Sequence, residues 1–230
     1  MPHDDLSSAQ IVAAVRNGQW LGTWDTQAIG HTLLSKAPGY PIFVAYTSWT
    51  GLNPAQLSYL LYLVGGVLIA AWFRHVLGNH AGVVLFLVLA FSPVMVNAQM
   101  SRAYRDPLVA ALALLALGAA LQLFLVIERR VLLGMGAGSR WWSVKMLALA
   151  ALLGGCFGWL RITRGDTLWV VSSVVFLGIW SCVRVLIGLR NAPGKRTWRN
   201  VPNLLVGIGS ILILVALVVA PGEWIKHRNS

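Results

Sequence analysis

The sequence predicts an all-α, polytopic integral membrane protein of about six transmembrane helices preceded by interfacial helices. Three observations carry this. First, the 230 residues are 57% hydrophobic and only 11% charged, with a mean hydropathy of +0.71, a balance foreign to soluble domains. Second, six apolar runs of spanning length follow one another at 55–73, 81–98, 107–127, 146–160, 167–189 and 203–220. A hydrocarbon core of ~30 Å demands such runs, and backbone groups in lipid must be satisfied within the segment, so they read as helices. Third, the linkers fall into two sets of different charge when the runs are threaded alternately.

The first 54 residues differ in kind from the rest. Residues 6–17 read as a short helix with Asp5 as N-cap and Gly18 as its end, too short to span. Trp20, Trp24 and Trp49 belong to the residue type that settles at the headgroup level. The stretch SKAPGYPIFVAYTSW carries two prolines that interrupt a helix at its start, then an apolar run that stops short of spanning. It reads as a second interfacial element. The organisation expected is therefore an outer-face segment at 1–54, a six-span bundle at 55–220 and a polar tail at 221–230.

Between the spans, one linker set holds Arg74, then Arg129, Arg130, Arg140 and Lys145, then Arg190, Lys195, Arg196 and Arg199, with Arg184 just inside a helix end. The positive-inside tendency assigns this set to the cytoplasm, ten basic residues against eight. Six of the seven acids, Asp4, Asp5, Asp25, Asp106, Asp166 and Glu223, fall on the other side, and only Glu128 lies inside. Loop charge thus accounts for the formal net charge of +11, and no nucleic-acid partner is expected. Arg184 can snorkel to headgroups. Cys156 and Cys182 fall within spans without ligand-type spacing and read as packing residues. Residues 1–17 have neither the basic region nor the apolar run of a signal peptide.

Two outer turns, SRAYRDPL and LRITRGDTLW, each set two arginines beside one aspartate at a helix mouth. A single such turn reads as solvated connector with snorkelling arginines; two on one face favour a site. The outer face then offers Asp4, Asp5, Asp106 and Asp166 as acids, with Lys36, Arg102, Arg105, Arg161 and Arg164 as bases. A carboxylate can take a proton from a hydroxyl, and an Arg/Lys cluster suits a phosphate. Both needs arise when a sugar moves from a lipid phosphate to an alcohol. His3 beside Asp4 and Asp5 has donors for a divalent cation, but three adjacent residues rarely converge on one ion, so no metal site is assigned.

The order of these features resembles the GT-C membrane glycosyltransferases that use polyprenyl-phosphate sugars, most closely bacterial relatives of protein mannosyltransferases and lipid A aminoarabinose transferases. That family's first outer loop has an acidic pair, a short helix, a G-x-W-L turn and a K-x-P-G-Y-P segment. This chain reads Asp4-Asp5, twelve residues, Gly18-Gln19-Trp20-Leu21, then Lys36-Ala37-Pro38-Gly39-Tyr40-Pro41. The next loop of the family has Arg followed by D-P-L entering a helix, matched by Arg102, Arg105 and Asp106-Pro107-Leu108. A later L-T-R-E-E-x-x-W resembles Ile162-Thr163-Arg164-Gly165-Asp166-Thr167-Leu168-Trp169, where Gly165 replaces an acid. Members begin with a spanning helix before the acidic pair and continue with further spans. Against that pattern the chain looks truncated, its six helices standing as the second to seventh.

The resemblance implies an inverting transfer on the outer face of a bacterial inner membrane. Asp4 or Asp5 would be the base, Lys36 and Arg102 would hold the donor phosphate, and Tyr40, Arg105, Asp106, Arg164 and Asp166 would contribute to substrate binding, with no cofactor. Two alternatives stand beside it. One is a catalytically inactive relative that keeps a lipid-phosphate site as a binding or assembly protein. The other is a small transporter, disfavoured because charges sit at helix mouths whereas transport sites lie near the midplane.

Overall fold

The computed structural model describes Val12 and residues 39–92, 106–132, 140–163 and 168–191. Among them the regular structure is entirely helical: α1 Gly39–Thr50, α2 Pro54–Leu77, α3 Asn79–Ala90, α4 Asp106–Leu132, α5 Arg140–Thr163 and α6 Leu168–Asn191. Four of these, α2, α4, α5 and α6, are long and apolar enough to cross a membrane. This is the architecture of an integral membrane protein.

The count of six spans is not reproduced among the described residues. The run expected at 81–98 forms α3, only 12 residues and about 18 Å long, short of a bilayer core; residues 93–98 and the run at 203–220 lie outside the described residues. In the other direction, α5 extends the 146–160 run to 24 residues by taking in Arg140, Lys145 and Arg161. Basic residues at a span end keep their backbone bonds in the helix while their side chains reach the interface, so the apolar run understates the helix. The segment expected as a second interfacial element is helix α1, with Pro41 in its first turn where no intrahelical N–H is lost. It does not simply lie on the surface, since Ile42, Phe43, Ala45 and Thr47 are buried. Val12 packs on its Ile42 and Ala45.

Local chemistry fixes where α2 begins and ends. Asn53 caps it: its Oδ1 accepts from the Ala55 N–H at 3.0 Å, Gln56 Oε1 accepts from the Asn53 N–H at 3.0 Å, and Pro54 opens the first turn. At the other end Gly78, with φ 99°, turns the chain directly into α3, a conformation costly for any residue with a β-carbon.

Helix α4 is the centre of the bundle. Of its apolar window 78% is buried, against 11% for α6. Cross-helix pairs give the directions. Gly65 meets Leu115, Gln122 Nε2 donates to Leu68 O at 2.8 Å, and Arg129 reaches His75, so α2 and α4 run parallel. Phe124 meets Gly178 and Glu128 meets Arg184, so α6 is parallel to α4 as well. Helix α5 follows α4 in the chain and leads back to the start of α6, with four residues separating its C-terminus from that start. The start of α4, the end of α5 and the start of α6 therefore share one end of the bundle, hereafter the Asp106 end, while Arg74, Glu128, Arg129 and Arg184 share the opposite end. The outward faces of α2, α3 and α6 are apolar, with Val64, Val67, Val84, Val88, Phe176 and Ile179 each at least half exposed. A hydrocarbon solvent suits such a surface.

Candidate functional site

Of the outer-face residues that the sequence singles out, Tyr40, Asp106 and Arg161 are described, together with Gly39, Ile162 and Thr163 from the same segments. Asp4, Asp5, Lys36, Arg102, Arg105, Arg164 and Asp166 lie outside the described residues, as does His3.

The described edges of these segments meet at the Asp106 end. Gly39, first residue of α1, lies against the last turn of α5: a β-carbon there would stand 2.8 Å from the carbonyl carbon of Ile162 and 2.8 Å from the Thr163 nitrogen, and would collide with Thr163 Oγ1. Only glycine permits that approach. Thr163 is fully buried, and its hydroxyl donates to the Trp159 carbonyl at 2.7 Å. Tyr40, partly buried, packs on the same apolar core that holds Leu108 and Leu160. The segment that begins at Gly39 is thus anchored to the residue that immediately precedes Arg164 in the chain.

Asp106 opens α4 as an exposed carboxylate in the first turn, followed by Pro107. That is where a helix favours negative charge, and where the missing N–H of proline costs nothing. Leu108, 1% exposed, buries the next turn of the helix. Arg161, half-buried in the last turn of α5, has the complementary sign for a helix C-terminus. Trp49 and Trp169 are exposed at this end, the level at which indoles favour the membrane–water boundary. Among the described residues, this end of the bundle holds the Asp106 carboxylate, the Arg161 guanidinium and Tyr40. Among the described residues no group of three or more His, Cys, Asp or Glu could hold a metal ion.

Several features escape a reading of sequence alone. Trp159 bridges the packing of α1 and α5, and its indole Nε1 is buried without a hydrogen-bond partner among the described residues, a deficit worth about 1–3 kcal/mol. No periodicity signals an orphan donor. At the other end Arg184 does not simply snorkel: its Nη2 pairs with Glu128 Oε1 at 3.1 Å. A signal for this did exist, because Glu128 is the lone acid in the Arg-rich set.

No family model, no curated protein and no solved structure matches the chain.

Proposed function

We propose that the chain transfers a sugar from a polyprenyl-phosphate donor to an acceptor hydroxyl at the Asp106 end of the bundle, on the non-cytoplasmic face of a bacterial plasma membrane. The observation that carries this reading is the seating of Gly39 on Ile162 and Thr163. Lys36 stands three residues before Gly39, and Arg164 directly follows Thr163. Three residues of chain reach at most about 11 Å, so chain length allows a cation from each segment to approach one phosphate. Asp106 opens α4 at the same end.

In the reaction, Asp4 or Asp5 takes the proton of the acceptor hydroxyl, whose oxygen attacks the anomeric carbon. The bond from that carbon to the phosphate oxygen breaks, and the polyprenyl phosphate leaves with the bonding pair, its charge met by Lys36 and Arg102. Placing fixed cations where charge develops is the form of catalysis that supplies most of the rate in many enzymes.

The test uses the purified full chain with a polyprenyl-phosphate sugar, reading donor binding and sugar transfer separately. Lys36→Ala and Arg102→Ala are expected to weaken donor binding, while Asp4→Asn and Asp5→Asn abolish transfer with binding nearly intact. Unchanged donor affinity in both cation variants overturns the lipid-phosphate site. Donor binding without transfer in the unaltered protein would assign it to binding or assembly instead.

A further inference from the structure

The end of the bundle opposite Asp106 has a feature that the proposed transfer does not use. Arg74, Arg129, Lys145 and Arg184 stand there against a single carboxylate among the described residues, Glu128. That carboxylate belongs to Arg184, at 3.1 Å. The guanidiniums of Arg74 and Arg129 are held by an amide oxygen and an imidazole nitrogen. Arg74 Nε donates to Asn79 Oδ1 at 2.7 Å, across the Gly78 turn, and Arg129 Nη2 lies 2.8 Å from His75 Nδ1 and 3.3 Å from Nε2.

A guanidinium carries N–H donors and no acceptor, so the imidazole nitrogen that meets Arg129 is the accepting partner. Among the described residues no carboxylate pairs with Arg74 or Arg129, and Arg74 and the His75 that meets Arg129 are consecutive on α2. The positive-inside tendency explains why basic residues collect at such an end. It does not explain why two of them are fixed in place by side chains other than carboxylates.

We propose that Arg74 and Arg129 form a cradle for the phosphate of an anionic phospholipid headgroup at the junction of α2, α3 and α4. The cradle is at the correct depth. Arg129 lies 23 residues beyond Asp106 on α4, about 35 Å along the helix, which sets the two ends at opposite headgroup layers of one bilayer. The Asn79 and His75 bonds occupy only part of each guanidinium fork, leaving further N–H donors for phosphate oxygens. The exposed valines of α2 and α3, Val64, Val67, Val84 and Val88, provide an apolar wall for acyl chains below the headgroup.

The test reconstitutes the full chain in nanodiscs of phosphatidylcholine with or without phosphatidylglycerol, and measures retained lipid by native mass spectrometry together with the thermal midpoint. Phosphatidylglycerol is expected to be retained preferentially and to raise the midpoint, with retention falling as salt rises. Each of Arg74→Gln and Arg129→Gln should lower retention about fivefold. His75→Gln, still an acceptor, should leave it unchanged, whereas His75→Glu, which cancels the Arg129 charge without removing an arginine, should lower it. Equal retention of the two lipids by the unaltered protein, or a preference that survives both Arg74→Gln with Arg129→Gln and His75→Glu, overturns the proposal. Inorganic phosphate that reproduces the midpoint shift at equal concentration would overturn the lipid as its source.

Discussion

The backbone of Gly65 lies against that of Leu115, so close that a β-carbon at position 65 would stand 2.7 Å from the Leu115 nitrogen. Gly118 repeats the contact one turn on, where a β-carbon would stand 2.9 Å from the Gly65 carbonyl oxygen. Lipid offers no hydrophobic drive for helix association, so the parallel α2–α4 pair depends on close backbone packing at small residues. Gly65→Val or Gly118→Val is expected to force the helices apart and cost about 1–3 kcal/mol. The denaturation midpoint in detergent, compared with that of Gly155→Val at an open position, measures this.

The same pair is joined by the Gln122 side chain on the Leu68 carbonyl. Interhelical hydrogen bonds in membranes are modest, so Gln122→Leu should cost only about 0.6 kcal/mol. Unfolding in mixed micelles would reveal whether the bond contributes more than the glycine contact.

Breaking the Glu128–Arg184 pair should be asymmetric. Glu128 is the more buried partner, 13% exposed against 38%, and Arg184 can reach the interface when its partner is lost. Arg184→Leu is therefore expected to destabilise more than Glu128→Gln, because it strands a carboxylate near hydrocarbon. A double-mutant cycle read by thermal unfolding checks this.

Gly39→Val tests the meeting of the two segments at the Asp106 end. The added branches would collide with Thr163 and displace α1 from α5, so donor binding should fall at least about tenfold if the segments act together. Helix content should stay constant by circular dichroism. Unaltered donor affinity would separate the contact from the site.

Orientation is checked by labelling with an impermeant thiol reagent. A cysteine at Thr23 is expected to react from outside and one at Ser139 only after permeabilisation, since Ser139 lies in an Arg-rich linker. The reverse pattern would put the Asp106 end in the cytoplasm and remove the proposed location.

The sequence by itself determined the solvent of this protein and the nature of its elements. An unbroken apolar run in lipid has only the helix available to it, and α2, α4, α5 and α6 stand on the runs read for them. It also identified the start of α4 at Asp106-Pro107, because an acid followed by proline suits a helix N-terminus chemically. Helix lengths were less legible: α5 outgrows its apolar run by taking in charged ends, and α3 stops short of its own among the described residues. Which helix is central was only faintly legible. The central α4 has the most apolar window, but α6 comes next to it, and only the side-by-side packing of α2, α5 and α6 on α4 buries the one and leaves the other nearly bare. Nor could sequence show that Gly39 would lie on Thr163 or that Arg129 would meet His75. These are contacts between residues 124 and 54 positions apart. Local propensity acts over a few residues, whereas such contacts are decided by how whole helices align along their axes.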